Sequence, residues 1–175
     1  MNNRPAETIP AKIMLVGEYG VVMGGSALTV PFGVFQAKIR DIRQIPEGKE
    51  AEAARSVAYL KQLYGYISSI PAGDFHAPPD LSLFRKSMEN LWLEMTIPTG
   101  YGLGSSGAVS AAIYRLFFPS AGTLSLPQQK EDLATIESYF HGKSSGVDAL
   151  TCHAGAALRF HSSGQIERVK FLPSG

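Results

Sequence analysis

The fold class this sequence predicts is α+β. Two-residue alternation, the mark of a strand, appears within Phe32–Ile45 and again at Leu91–Ile97. Spacing close to 3.6 residues, the mark of a helix, runs through Glu50–Ile70. The two patterns follow no strict strand–helix–strand order, which a doubly wound parallel sheet would require.

In chain order, the apolar, branched run Ala11–Val16 ends at Gly17 and reads as a buried strand. Gly17, Gly20, Gly24 and Gly25 then punctuate a loop with close turns around Val21–Met23. A second apolar run, Ala27–Val30, is expected to stop at Pro31. Phe32–Ile45 should form one or two further strands before the turn at Pro46 and Gly48. Ala54, Val57, Ala58, Leu60, Tyr64 and Ile67 give Glu50–Ile70 its helical face, closed by Ile70-Pro71-Ala72-Gly73. After the exposed connection Ala77-Pro78-Pro79, a short helix is expected at Leu81–Asn90. Leu91, Leu93, Met95 and Ile97 alternate with Trp92, Glu94 and Thr96 as a strand does, up to Pro98. Ser105–Phe118 is small and apolar with no internal proline, and reads as a buried helix. Ser125 as N-cap and Pro127 in the first turn open another helix, running to about Phe140. A Gly/Ser-rich loop follows, and then Ala156–His161 and Ile166–Leu172 form a hairpin about a turn at Ser162–Gly164.

Composition narrows the function classes. At 175 residues the chain fits one domain and should bury roughly 70% of its unfolded surface. Sixteen Lys and Arg against fifteen Asp and Glu leave a net charge of +1, without the basic excess of a nucleic-acid-binding domain. One cysteine, Cys152, excludes an internal disulfide and reads as a small buried apolar group. No spacing suits zinc, and adjacent Cys152 and His153 are too close to build a site alone. The N-terminal segment lacks the apolar core of a signal peptide, and no apolar run reaches membrane-spanning length. A soluble, cytoplasmic protein with neither nucleic acid nor membrane as partner is the expectation.

The chemistry concentrates in PTGYGLGSSGAVSAA, residues 98–112, where Gly100, Gly102, Gly104 and Gly107 sit with Ser105 and Ser106 between a strand and a helix. Glycines let backbone approach an anion closely, and N–H groups at the helix start point at it, so phosphate binding is the direct reading. The plain alternative is a tight strand–helix turn. Gly102-Leu103-Gly104-Ser105-Ser106-Gly107 also satisfies G-x-G-x-x-G, but it lies late in the chain. The acids about twenty residues on, Glu131 and Asp132, fall in a helical segment, so a Rossmann site is disfavoured. Gly142-Lys143-Ser144 ends like a Walker loop, yet Glu137 stands where its first glycine is required. The hydrolase elbow G-x-S-x-G fails at Ala108.

PTGYGLGSSGA resembles the phosphate loop of the GHMP kinases (galactokinase, homoserine, mevalonate and phosphomevalonate kinases). Two further blocks match in order. PAKIMLVGEYGVVMGGSALTVPF, from Pro10 to Phe32, is similar to the family's N-terminal motif, and FHGKSSGVDAL, from Phe140 to Leu150, to the segment of its mevalonate kinases that holds a catalytic aspartate. The resemblance implies the family's N-terminal, ATP-binding domain over residues 1–175. That domain has the ribosomal protein S5 domain 2-like fold, a mixed sheet with helices on one side. It implies ATP and Mg²⁺ as cofactors and a small alcohol as acceptor, with mevalonate the best match.

Residue by residue, the resemblance assigns Gly100 and Gly102–Ala108 (Leu103, Gly104, Ser105, Ser106 and Gly107 between them) to the ATP phosphates. It assigns Ser106 and Glu137 to Mg²⁺, Asp148 to the role of base, and Lys12 to the attacking hydroxyl. Glu18, Tyr19 and Ser145 would face the substrate. Read singly, Glu137 could be a solvated helix carboxylate, Asp148 a helix cap and Lys12 a strand-edge lysine. Two departures stand out: Tyr19 where mevalonate kinases often have histidine, and Lys143-Ser144-Ser145 where proline-serine is usual before Gly146. Family members are roughly twice this length and carry a C-terminal domain with a further Gly-rich motif. The sequence therefore leaves two readings open, a working small-alcohol kinase and a nucleotide-binding half or scaffold. In the second, the missing domain or a second copy of the chain is the partner. A nucleic-acid module on the same fold is disfavoured by the charge.

Overall fold

The structure, a computed structural model, describes residues 8–18, 20 and 24–170. Its centre is a single long strand. The first strand, β1, covers Thr8–Val16 and pairs antiparallel with β2, Ala27–Asp41. The far edge of β2 is shared by two shorter strands. β4, Leu158–Phe160, pairs with Ala27–Thr29, and β3, Leu91–Met95, pairs with Ala37–Asp41. β5, Ile166–Arg168, closes the hairpin with β4. Every pairing among the described residues is antiparallel, so the α+β class holds while the sheet is antiparallel rather than mixed.

Pro31 does not end its strand, contrary to the expectation from sequence, and the hydrogen-bond pattern gives the reason. Opposite it, Lys12 turns its N–H away from β2 and donates to Leu103 O at 3.0 Å. Lys12 and Pro31 are thus a pair that exchanges no ladder bonds, and the donor that proline lacks would have pointed to the other edge. There β4 has ended at Thr29 and β3 begins only at Ala37, so no bond is forfeited.

Buried residues alternate along β2 (Ala27, Thr29, Ala37, Ile39), and with Ile9 and Ala11 of β1 they form the face that the helices cover. Two helices pack on β1 and β2: α3, Ser105–Phe117, and α5, Val147–Ala154. α3 is buried on nearly every side from Gly107 to Tyr114, the behaviour of an all-apolar helix inside a domain. α4, Leu126–His141, lies against both, opened as predicted by Ser125 and Pro127, and Gln128 Oε1 accepts from the Ser125 N–H. α1, Glu50–Ser69, packs on β3, where Ser56 Oγ accepts from Leu93 N–H.

The segment predicted as one helix at Leu81–Asn90 is an α-helix, α2, over Leu81–Ser87, tightening into a 3₁₀ turn at Met88–Asn90. From sequence, α5 is expected only as a helix that Asp148 would cap. Gly146 is its N-cap and Asp148 lies in its first turn. The turns expected around Val21–Met23 lie outside the described residues, as do the last residues of the expected strand Ile166–Leu172.

Candidate active site

The site forms where β1, the loop before α3, the end of α4 and the start of α5 meet. The loop turns on glycines. Gly100, Gly102 and Gly104 have φ of 83°, 69° and 73°, a region that side chains other than glycine's rarely enter. Gly104 has a second constraint: a Cβ there would stand 2.8 Å from Lys12 Cγ and 3.1 Å from Lys12 Cε. It is also the N-cap of α3, with no side chain capping the helix. The first helical bond runs from Ala108 N–H to Gly104 O, so the N–H groups of Ser105, Ser106 and Gly107 precede the intrahelical ladder. An uncapped helix N-terminus behind a glycine turn is receptive to a phosphate.

Lys12 reaches this loop from β1. Its side chain passes beside Gly104 and is 6% exposed, and its Nζ lies 2.9 Å from Asp148 Oδ2. It is no strand-edge lysine in solvent. The Asp148 side chain keeps 30% of its exposure, so the pair is open from the aspartate side. α3 and α5 can bring loop and aspartate together only because Gly107 lacks a Cβ, which would stand 2.8 Å from Ala149 N and 2.9 Å from Asp148 C.

The second pair is Ser106 and Glu137. Ser106 Oγ donates to Glu137 Oε1 at 3.0 Å, and Ser144 Oγ donates to Glu137 Oε2 at 2.5 Å. Glu137 is buried, which disposes of the solvated-carboxylate alternative. Burial pushes its carboxyl above the ordinary carboxylate range and the charge of Asp148 adds to this, against the pull of Ser144, Ser106 and His141. A hydroxyl and a carboxylate, both oxygen, are the donors that Mg²⁺ prefers, and a desolvated carboxylate gains from a cation beside it. The residues present fit that ion.

Two participants went unnoticed in sequence. His141 Nε2 is 3.1 Å from Ser106 Oγ; its position one helical turn after Glu137, on the same face of α4, was the available signal. In sequence Ser144 shows only as the end of a failed Walker match and as a departure from a family pattern. Ser145 Oγ accepts from Val147 N–H at 3.4 Å, at the mouth of α5. Glu18 is exposed in the turn after β1, with no hydrogen bond or ion pair to Lys12 or Asp148 among the described residues, and Tyr19 lies outside them. Cys152 is buried under Gly104, its thiol pushed far up by burial, and so is no nucleophile. No cluster of three His, Cys, Asp or Glu suited to a metal exists among the described residues.

Fold and site define a class first: an α+β domain whose central helix presents a glycine-framed, anion-receptive N-terminus beside an ion pair of buried Lys12 and half-buried Asp148. The family description "GHMP kinases N terminal domain" matches residues 56–156, and the chain belongs to that family. Among its relatives, the mevalonate kinase of Pyrococcus furiosus is 28% identical over 184 residues, covering 93% of this chain and 53% of the relative. Human mevalonate kinase is 28% identical over 163 residues, covering 84% and 38%. The crystal structure of mevalonate kinase from methicillin-resistant Staphylococcus aureus MRSA252 superposes with a TM-score of 0.52 at 25% identity, covering 94% of this chain and 55% of that one. The Methanococcus jannaschii mevalonate kinase, at TM-score 0.56 and 16% identity, shares the fold over 97% of this chain and 57% of its own. The chain spans about half the length of the curated relatives it matches. No helix among the described residues is long and apolar enough to cross a membrane.

Proposed function

We propose that this chain supplies the nucleotide-binding wall of a cytoplasmic kinase that moves the γ-phosphate of ATP onto a hydroxyl of a small alcohol, mevalonate being the acceptor. The observation that carries this is the ion pair between Lys12 Nζ and Asp148 Oδ2 at 2.9 Å, set directly behind the glycine loop. In this reading the N–H groups at Gly102–Ala108 hold the ATP phosphates, and Ser106 Oγ and Glu137 hold Mg²⁺. Bound there, Mg²⁺ neutralises phosphate charge. The acceptor hydroxyl approaches Asp148 from its exposed side and gives its proton to the carboxylate. Lys12 Nζ stabilises the oxygen left behind, which bonds to the γ-phosphorus as the bond to the β-phosphate oxygen breaks and ADP leaves. Phosphoryl transfer needs positioning and charge more than covalent help, and a positioned base contributes about 10²–10⁴-fold.

The coverage of only half of each relative favours a second reading, in which the chain binds nucleotide but turns over only with a second domain or a second copy as partner. One assay separates the two. ATP turnover with Mg²⁺ is measured on mevalonate, phosphomevalonate, homoserine and galactose, with wild type beside Asp148→Asn. Turnover of mevalonate, reduced 10²–10⁴-fold in the variant, supports the first reading. ATP binding without turnover selects the second, and absence of ATP binding contradicts both.

A further inference from the structure

Glu137 is 3% exposed, and each of its oxygens meets a different hydroxyl, Oε1 that of Ser106 and Oε2 that of Ser144. Ser144 is itself held on both sides. Its oxygen accepts from Gly146 N–H at 3.0 Å, which leaves its single proton directed at Glu137. Its own N–H donates to Ser138 Oγ at 3.1 Å, and Ser138 Oγ donates to Ala134 O at 2.7 Å. Ser138 and Ala134 stand on α4 beside Glu137, so the loop is tied to the helix that carries the carboxylate. A proline at 144 could make neither the N–H bond nor the hydroxyl bond.

We propose that Ser144 is a positioning residue for the cation site, holding Glu137 Oε2 so that Oε1 is turned to Ser106 and the two oxygens are offered together to a divalent cation. This rests on the Mg²⁺ role of Ser106 and Glu137 proposed above. The last torsion of a glutamate is broad, so an unheld carboxylate samples many orientations. A hydrogen bond on the non-ligating oxygen removes that freedom, and losing such an outer partner typically costs 10–100-fold in metal affinity. Ser144 also remains as a donor to the buried carboxylate when Ser106 turns its lone pairs to a cation.

The test uses the full chain and ATP as probe, with Mn²⁺ replacing Mg²⁺ or with chelator present. The readout is the ratio of the dissociation constants for metal-free ATP and MnATP. A purely structural lesion weakens both and leaves the ratio alone. Ser144→Ala should lower the ratio about tenfold, and Ser144→Thr, which keeps the hydroxyl, should stay within about twofold of wild type. Should Ser144→Ala not fold, Ser144→Cys, of similar size and a weak donor, replaces it with the same expected loss. A wild-type ratio in Ser144→Ala, while Glu137→Gln lowers it, overturns the positioning role and leaves the cation site standing. A wild-type ratio in Glu137→Gln removes the cation site, and the role of Ser144 falls with it.

Discussion

Lys12 and Asp148 cannot be altered independently, because the ammonium is almost fully withdrawn from water and the carboxylate is its one ion-pair partner among the described residues. Asp148→Ala should therefore destabilise the fold by about 3 kcal/mol, the low end for breaking a buried pair, since the aspartate keeps some solvent. Urea unfolding checks this, and it is why asparagine is the better replacement in a turnover assay. Gly107→Ala places a methyl against the backbone of Asp148 and Ala149, which cannot yield as a side chain can. It should cost about 1–3 kcal/mol and move Asp148 away from the loop. Its melting temperature and its turnover should fall together. Lys12, Ser106, Glu137 and Asp148 could be singled out in sequence as candidates because the family motifs name residues, and the fold brings the four into two contacting pairs. Ser144 and His141 could not, because their contacts depend on how a loop folds back on α4, which no local pattern encodes.

Buried Asp132 on α4 joins three elements. Its Oδ1 accepts from His76 N–H at 2.7 Å, and its Oδ2 accepts from Ala77 N–H at 3.0 Å and from Tyr114 Oη of α3 at 2.8 Å. This one carboxylate pins the connection before α2 to the two helices that frame the site. Asp132→Ala leaves three donors without their acceptor and should cost about 3 kcal/mol or more. Thermal unfolding reads the loss, and hydrogen exchange should rise first at residues 76–77. Sequence placed the helices well, because apolar spacing and the Ser125–Pro127 start are local signals. It failed at Pro31, where the direction in which a missing donor points is set by pairing with a strand some twenty residues away. It also left α5 undrawn as an element, a helix of eight residues too short to show periodicity.

Across the whole molecule, the sheet came out antiparallel where the family resemblance implied a mixed one; strand direction is a property of connections, which pattern does not show. Stability of the whole should depend on pH through His153, which ties α5 to its surroundings beside Tyr114, Arg115 and Arg168. Burial, with the charges of both arginines, lowers its pKa from 6.5 to about 4. The unfolded chain takes up the proton first, so the stability from neutral His153 is full above about pH 6.5 and is lost as pH falls toward 4. The loss should be on the order of 3 kcal/mol. Urea unfolding of wild type and His153→Gln at neutral and acid pH should show a shallower slope in the variant.

Calorimetric titration of the full chain with ATP, in Mg²⁺ and in chelator, tests most directly whether the glycine loop and the Ser106–Glu137 pair form one nucleotide site. Saturation at about one ATP per chain, tighter with Mg²⁺ and at least about tenfold weaker in Glu137→Gln with Mg²⁺ present, is the expected result. A folded chain that takes up no ATP in either buffer would contradict it.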